Sequence, residues 1–319
     1  MEKRNTSQIA PTASPNEPFV RGAISIGVQA VLYHSNIEAV RRAMLSLARS
    51  AELGMGEGAL TGVTLYLGDS SSTPCLSREK LADLTAEIGD ALRIVYDPFR
   101  ENLGTSKGHN RLAEQNSADF FLIQNPDIVA SPRLLQTLAS GFRLPGVGMV
   151  EAKQLPIEHP KDYDPLTGET SWASGACMLI PASLYRHLRG FDPDSFFLYC
   201  DDVDLSWRVR LAGYKVIFQP AAVVFHDKRL SESGKWSPTS AERYYSAEAA
   251  LFLAHKWSRP DLVQQYLKQF AASQDADLQR ASALFSERQQ NGSLPEPLDP
   301  EHKVGQFVGG EYAKHRFTL

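Results

Sequence analysis

Three short segments carry side chains that could hold a cation or move a proton, and the first is Asn125-Pro126-Asp127. It follows residues 120–124, which are apolar almost throughout and predict a buried strand. A rigid turn at the end of such a strand aims its carboxylate at one point, and Mg²⁺ and Mn²⁺ prefer oxygen ligands of this kind. Taken alone, Asn-Pro-Asp is more often an ordinary turn.

The second segment places three acids, Asp201, Asp202 and Asp204, at the start of a predicted helix and behind an aromatic run. Aromatic neighbours desolvate a carboxylate and raise its pKa towards the range of a general base. The alternative is a charged first turn that caps the helix. In the third segment, His226 ends an apolar run, where its ring could supply a nitrogen ligand to a metal or could be structural.

The elements that must position these side chains alternate between strand and helix as far as about residue 150. Apolar runs predict strands at 24–32, 63–67, 92–96 and 120–124. Such alternation is typical of an open α/β sheet with parallel strands, whose ligands bind beyond the carboxyl ends of the strands. Asp69 and Asp127 both lie at such ends.

The second half of the chain is less regular. We expect strands near 146–152, 175–180 and 216–225, a polar loop at 153–171, and a helix that begins at 202–204. The sequence from 240 to 290 predicts helices, and one of them carries an apolar stripe. We expect this stripe to dock on the domain or on a partner subunit, and in the second case the protein would be a homo-oligomer.

Composition is that of an ordinary soluble protein and excludes several classes. The 319 residues include 33 Lys+Arg and 37 Asp+Glu, for a formal charge of −4, so we expect no nucleic-acid partner. No apolar stretch approaches the roughly 20 residues that cross a bilayer, and a cytoplasmic location is the default expectation. Three widely spaced cysteines predict neither a disulfide framework nor a cysteine-rich zinc site.

Taken in order, the motifs resemble those of the inverting family 2 glycosyltransferases of GT-A fold, particularly the bacterial rhamnosyltransferase-like branch. The matching motifs are Tyr33-His34-Ser35-Asn36, Gly68-Asp69-Ser70-Ser71, Asn102-Leu103-Gly104, Gly108-His109-Asn110, Asn125-Pro126-Asp127, Ser174-Gly175-Ala176, Gly190-Phe191-Asp192, Phe196 to Arg208, Arg210 to Tyr214 and Val224-Phe225-His226. The resemblance implies a Rossmann-like nucleotide-diphospho-sugar transferase with a mostly parallel central sheet and a C-terminal helical extension. It divides the chain into a flexible tail (1–20), a GT-A catalytic domain (21–258), and a helical extension with a tail (259–319).

The resemblance also implies a role for each matched position. Asp202 would be the catalytic base, with Asp201 in reserve, while Asp127 and His226 would bind a divalent cation, Mn²⁺ or Mg²⁺. Asn125 stands in the first position of the family's acidic triplet, which leaves one carboxylate there rather than two. The donor site would comprise Leu32, Tyr33, Asp69, Asn102, Lys107, Asn110 and Asn125, with Asp69 on the nucleotide base. The acceptor would pack at Trp172, Ser174 and Gly175.

The expected reaction is inverting transfer of a sugar from a nucleotide diphosphate to a hydroxyl of a glycan or lipid-linked oligosaccharide. Rhamnose from dTDP-rhamnose is the first choice of donor, and a UDP-linked hexose is the alternative. A degenerate protein that binds nucleotide sugar without turning it over is a third reading. The aromatic and basic tail around Lys314 and Phe317 could touch the inner face of a membrane, or form a subunit contact.

Overall fold

The computed structural model describes residues 14–159, 162–226 and 238–313 and shows a mixed α/β fold built on one sheet. The strands are β1 (Ile24–Leu32), β2 (Leu60–Asp69), β3 (Arg93–Pro98), β4 (Phe120–Gln124), β5 (Val129–Ala130), β6 (Val147–Leu155), β7 (Glu169–Thr170), β8 (Cys177–Pro181) and β9 (Lys215–Phe225). The helices are α1 (Ile37–Gly56), α2 (Arg78–Ile88), α3 (Gly104–Gln115), α4 (Leu134–Gly141), α5 (Ala182–His187), α6 (Asp201–Leu211), α7 (Ser240–Lys256), α8 (Pro260–Ala271) and α9 (Ala276–Gln290), with a short 3₁₀ helix at Gly89–Ala91.

The strand order in the sheet is β3-β2-β1-β4-β8-β6-β9-β5, and β7 pairs with β9. Ladders β1–β2, β1–β4, β2–β3 and β6–β9 are parallel, whereas β8 is antiparallel to both of its neighbours. Strands β1 to β4, β6 and β9 therefore run in one direction, as the expectation of a mostly parallel sheet requires. Reversal of β8 brings the start of β8, at Cys177, beside the end of β4, at Gln124.

The alternation of strand and helix follows from local sequence. All five residues of β4 are buried, as befits a central strand covered on both faces. Helix α1 begins where the Asn36 side chain accepts a hydrogen bond from the Ala39 N–H, and it turns one apolar face to the sheet. The main core lies between that face and β1, β2 and β4. This packing fixes the carboxyl ends of three parallel strands at one edge of the sheet.

The last three helices pack on the α/β domain through aromatic side chains. Trp207 of α6 meets Trp257, just after α7, at 5.1 Å between ring centroids, and it meets Phe307 at 5.2 Å. Helix α7 begins with a capping box between Thr239 and Glu242. Because α7 shares one apolar cluster with α8 and α9, the three helices form a single layer, and the domain boundary at 258 stays a prediction.

Within the part of the chain that the structure describes, no helix combines the length and the apolar character needed to cross a bilayer. The expected N-terminal tail lies largely in residues 1–13, outside the described residues. The basic and aromatic segment from Lys314 onward, with its expected membrane or subunit contact, also lies outside them.

Candidate active site

The antiparallel pairing of β4 with β8 assembles the centre of the site. Gln124 is opposite Cys177, and just beyond that pair the Asn125 N–H donates to the Ala176 carbonyl at 3.0 Å. The Asn125-Pro126-Asp127 turn therefore lies directly against Ser174-Gly175-Ala176. Two motifs that are about 50 residues apart in the sequence are joined by a main-chain hydrogen bond.

Asn125, Asp127 and His226 converge at the end of β9. The Asn125 Nδ2 atom lies 3.2 Å from His226 Nε2, and Asp127 Oδ1 lies 3.8 Å from the same nitrogen. Since Asn125 Nδ2 is a donor, His226 Nε2 accepts, which leaves the proton on Nδ1 to donate to Gln154 Oε1 at 3.3 Å. His226 Nε2 thus accepts from Asn125 while the carboxylate of Asp127 lies nearby.

The carboxylate oxygen of Asp127 and the ring nitrogen of His226 are atoms that can bind a divalent cation. A metal-binding histidine usually donates its second ring N–H to a carbonyl, as His226 does to Gln154, and this bond holds the ring orientation. Asp127, whose side chain is 41% exposed, keeps its carboxylate accessible. Among the described residues no group of three or more His, Cys, Asp or Glu gathers to hold a metal, so a cation here needs further oxygens from a ligand such as a diphosphate.

Asp202 is the acid that reaches this centre. Its Oδ2 accepts the Gly175 N–H at 2.8 Å, and its Oδ1 accepts the Val203 N–H at 2.8 Å. A Cβ at position 175 would lie 3.4 Å from the Cβ of Asp202, which is an ordinary van der Waals distance, so Gly175 lies directly against Asp202. Asp202 is half-buried, and the remaining lone pairs of its two oxygens are chemically able to take a proton.

Asp201 is directed into the protein instead. Its Oδ2 accepts hydrogen bonds from the hydroxyls of Thr105 at 2.6 Å and Ser106 at 3.2 Å, which lie in the first turn of α3. Burial, and secondly the charge of Asp202, raise the pKa of Asp201 to about 7. Asp201 ties α6 to α3, whereas Asp202 faces the segment 174–176.

The turn in front of α6 aims both acids. Tyr199 and Cys200 have φ values of 69° and 56°, two consecutive non-glycine residues in the left-handed region. Such conformations cost free energy and persist where the surrounding structure holds them. Buried Phe196 and the bond from Thr105 N–H to the Phe197 carbonyl anchor the turn. The aromatic run thus orients α6 rather than lying in solvent.

Asp204, the third acid, is structural. It is fully buried and pairs with Lys256 Nζ at 2.9 Å and with Arg208 Nε at 2.8 Å. The indole N–H of Trp257 also donates to it, at 3.1 Å. Lys256 completes the cluster with Asp192 at 2.7 Å. These bonds join α6 to α7.

Asp69 ends β2 and organises the loop that follows. Its carboxylate accepts from the Tyr96 hydroxyl at 2.6 Å, the Cys75 N–H at 2.6 Å and the Ser71 N–H at 2.9 Å. Burial alone would raise the pKa of Asp69, but these hydrogen bonds outweigh it and lower the pKa below the usual value. Ser71 in turn accepts the His34 N–H at 2.9 Å. Asp69 therefore holds the wall expected beside a nucleotide base.

The other expected donor residues differ in accessibility. Leu32 is fully buried opposite Asp69, while the ring of Tyr33 is 54% exposed. Asn102 and Lys107 are exposed near the start of α3. Asn110 is bound within the protein, because its side chain bonds the Phe191 main chain at both N–H and carbonyl and accepts the Tyr185 hydroxyl at 2.6 Å.

Two of the three expected acceptor residues are enclosed. Trp172 is 2% exposed and lies between His159 and Tyr312, with ring centroids at 5.6 and 5.5 Å. Ser174 is buried and its hydroxyl accepts the Ala176 N–H. Of the three, Gly175 contacts Asp202 directly.

Several residues that hydrogen-bond to the predicted site residues were not predicted from the sequence. Gln154 fixes the ring of His226, Thr105 binds Asp201, and Tyr96 binds Asp69. The contact between Tyr96 and Asp69 could have been predicted from the sequence, because the two residues lie near the ends of neighbouring parallel strands.

Comparison with known proteins agrees with this geometry. Residues 162–243 match the family described as glycosyltransferase like family 2. An N-acetylglucosaminyl-diphospho-decaprenol L-rhamnosyltransferase of Mycobacterium tuberculosis is 34% identical over 95 residues, which are 30% of this chain and 30% of that protein. Rhamnosyltransferase WbbL of Escherichia coli K12 is 35% identical over 86 residues, which are 25% of this chain and 32% of WbbL. The matched segment thus spans less than a third of each relative.

Solved structures share the fold over most of the chain. GalNAc-T7 with UDP, GalNAc and Mn²⁺ superposes with a TM-score of 0.57 at 12% identity, covering 85% of this chain and 55% of that one. The Pyrobaculum calidifontis mannosyltransferase PcManGT with GDP-Man and Mn²⁺ has a TM-score of 0.51 at 16% identity, covering 89% of this chain and 84% of that one.

The sheet and the helices together have the GT-A fold of these structures. Within that fold, the segment 162–243 is similar to glycosyltransferase family 2, and the relatives that match part of the chain include rhamnosyltransferases. The resemblance inferred from the motifs is confirmed, and the roles of individual site residues stay predictions.

Proposed function

We propose that the protein is an inverting glycosyltransferase that moves a sugar from a nucleotide diphosphate to a hydroxyl of an acceptor glycan. One observation carries the proposal. Asn125, Asp127 and His226 join Asp202 through the main chain of Gly175 and Ala176, so a cation-binding group and an acid lie side by side at one sheet edge. Such a pair suits departure of a diphosphate and deprotonation of an attacking hydroxyl.

Asp202 is our choice of catalytic base. Its carboxylate would take the proton of the acceptor hydroxyl while that oxygen forms a bond to the anomeric carbon. The bond to the nucleoside diphosphate breaks on the opposite face, and the departing phosphate oxygen keeps the electron pair. One displacement of this kind inverts the configuration. The Gly175 N–H holds one oxygen of Asp202 and so orients the carboxylate.

Asp127 and His226 would hold a divalent cation, Mn²⁺ or Mg²⁺, with the Asn125 amide beside them. Their geometry supports this role, because a carboxylate oxygen and a ring nitrogen lie 3.8 Å apart and Gln154 orients the ring. When bound, the cation would offset the negative charge that develops on the diphosphate. Both structural neighbours named above were solved with Mn²⁺.

For the donor we propose dTDP-rhamnose, with a UDP-linked hexose as the alternative. The rhamnosyltransferase relatives support rhamnose, and the neighbours that hold UDP and GDP-Man support a nucleotide-linked donor. Exposed Tyr33, beside the loop that Asp69 holds, would form a wall for the nucleotide base. Exposed Lys107 would face a phosphate, and Asn102 lies near the same helix start.

For the acceptor we propose a lipid-linked oligosaccharide, on the strength of the acceptor in the mycobacterial relative's name. The reaction would then take place at the inner face of a membrane, with which the protein would associate peripherally. A glycan without lipid is the alternative acceptor.

The test is a panel of nucleotide sugars, including dTDP-rhamnose, UDP-hexoses and GDP-mannose, screened by thermal shift with Mn²⁺ or Mg²⁺. A selective donor raises Tm by mass action, with about 2.7 kcal/mol expected at one hundred times Kd. Failure of every donor to shift Tm would reject the proposal. A protein that binds a donor but releases no nucleoside diphosphate with any acceptor would instead be a degenerate binding protein.

A further inference from the structure

A cavity of about 230 Å³ lies between the C-terminal helices and the segment in front of α6. Its walls come from Tyr245 and Glu248 of α7, Arg280 and Arg288 of α9, and Phe197 and Asp194 before α6. None of these six residues belongs to the donor, metal or base positions described above. The C-terminal layer therefore lines a cavity as well as packing on α6.

Two side chains in the wall offer complementary polar groups. Glu248 accepts the Tyr244 hydroxyl at 2.7 Å through Oε1, and Oε2 bonds no described residue. The Arg280 guanidinium lies 4.0 Å from the centre of the Tyr244 ring, and within the described ranges it makes no hydrogen bond or ion pair. A carboxylate that accepts and a guanidinium that donates are suited to adjacent hydroxyls of one ligand.

Charge and size narrow the ligand class. Arg280 and Arg288 balance Glu248 and Asp194, so the cavity has no net charge to attract a phosphate. Arg288 is also engaged, since it donates to the main-chain carbonyls of Asp194 and Ser293, both at 2.8 Å. A volume of about 230 Å³ is below the range of about 300–1,000 Å³ that takes drug-sized molecules, and it suits a single ring.

The aromatic wall connects the cavity to the reaction centre. Tyr245 stacks on Phe197 with ring centroids 4.7 Å apart. The Phe197 carbonyl accepts the Thr105 N–H at 3.0 Å, and the Thr105 hydroxyl binds Asp201 at 2.6 Å. The cavity is therefore two residue contacts away from the paired acids. A ligand held there would contact Phe197, which Thr105 links to Asp201.

We propose that this cavity binds one neutral sugar ring of the acceptor, with Glu248 and Arg280 holding its hydroxyls and Tyr245 and Phe197 flanking it. The inference rests on the proposed function, because it assigns the acceptor to the same reaction. It identifies Glu248 and Arg280 as acceptor-specificity residues, which contact no donor group.

The experiment is ligand binding measured by saturation-transfer NMR and titration calorimetry. The probes are the methyl glycosides of glucose, galactose, mannose, rhamnose and N-acetylglucosamine, and inorganic pyrophosphate is the anionic probe. Binding of dTDP and UDP with Mn²⁺ is measured in parallel. We expect at least one glycoside to bind, and we expect Glu248→Gln and Arg280→Met each to weaken it about tenfold or more.

The control is Arg42→Met, which makes the same chemical change at an exposed arginine of α1 and should leave glycoside binding unchanged. Glu248→Gln keeps an oxygen for the Tyr244 hydroxyl, and Tm measurements identify variants that misfold. Nucleotide binding should be the same in all variants. In steady-state assays both cavity variants should raise the acceptor KM and leave the donor KM unchanged.

Three results would overturn the proposal. The first is that no glycoside binds at millimolar concentration although nucleotide does. The second is that a glycoside binds equally well to both cavity variants. The third is that pyrophosphate alone binds, and that its binding depends on Arg280. The last result would make the cavity an anion site. Loss of nucleotide binding in the wild-type protein would be different evidence, because it would reject the proposed glycosyltransferase function itself.

Discussion

At the scale of single residues, three neighbouring aspartates have three different environments. Asp202 faces the Gly175 main chain, Asp201 is buried against the α3 hydroxyls, and Asp204 is the fully buried partner of Lys256. Their sequence neighbours are nearly the same, so the division depends on helical geometry: side chains about 100° apart on α6 point at different elements. Each environment leads to a different experimental consequence.

Asp202→Asn tests the base. The asparagine oxygen still accepts the Gly175 N–H, but the side chain no longer takes a proton, so we expect kcat to fall by about 10²–10⁴-fold. Donor binding, followed by calorimetry, should stay near the wild-type value. Loss of donor binding together with activity would make Asp202 a structural or binding residue.

Asp127→Ala tests the cation site. Removing the carboxylate beside His226 leaves one charged oxygen ligand fewer, so metal-dependent donor binding should weaken by at least tenfold. The measurement is the donor Kd with Mn²⁺ and with a chelator. Equal affinity in the two conditions for the wild-type protein would contradict the assignment of Asp127 and His226.

Asp201 makes stability depend on pH. Its pKa is about 7 when folded, against a usual 3.8, so folding favours the protonated form. The stability that this proton supplies is complete below about pH 4 and is lost as pH rises through 7. The stability of Asp201→Asn relative to wild type should therefore increase from pH 4 to pH 7, by at most about 1.4 kcal/mol per pH unit. Urea unfolding at a series of pH values measures this difference, and a constant difference would refute it.

At the scale of elements, buried charges tie the C-terminal helices to the α/β domain. Lys256 at the end of α7 pairs with Asp192 and Asp204, and its side chain is 8% exposed. These bonds hold α6 while the strained Tyr199–Cys200 turn aims its first acids. The ion pair between Lys256 of α7 and Asp204 of α6 thus helps to orient Asp202.

Lys256→Met should destabilise the protein by about 3 kcal/mol, because two carboxylates lose a buried partner. Lys303→Met is the matched control, since Lys303 pairs with Glu301 at the surface, where both side chains are about 70% exposed, and it should cost less than about 1 kcal/mol. Denaturant unfolding gives both values. Similar losses for the two variants would mean that the buried cluster is not stabilising.

At the scale of the whole molecule, the C-terminal layer completes the fold. Trp172, Trp207 and Trp257 are each at most 2% exposed and lie in one cluster with residues of α7, α8 and α9. The cavity proposed for the acceptor also needs α7 and α9. The C-terminal helices are therefore expected to be inseparable from the α/β domain.

A chain ending at residue 258 tests this expectation. It would expose the aromatic cluster that α8, α9 and Phe307 cover, and we expect aggregation or loss of near-ultraviolet circular dichroism from the tryptophans. Differential scanning calorimetry of the two chains is the second measurement. A soluble fragment with an unchanged Tm would establish the boundary at 258 as a true domain limit.

The sequence by itself determined the α/β class and the strands up to residue 124, and it predicted that Asp127, Asp202 and His226 belong to one site. Periodicity and strand-end motifs are local properties, and the order of the motifs carried the family resemblance. Tertiary structure decided which groups remain accessible. It enclosed Trp172 and Asn110, bonded the Asp69 side chain to the loop after β2, and brought Gln154 next to His226 and Thr105 next to Asp201. These outcomes depend on the reversal of β8 and on contacts between segments far apart in the chain, which no local pattern encodes.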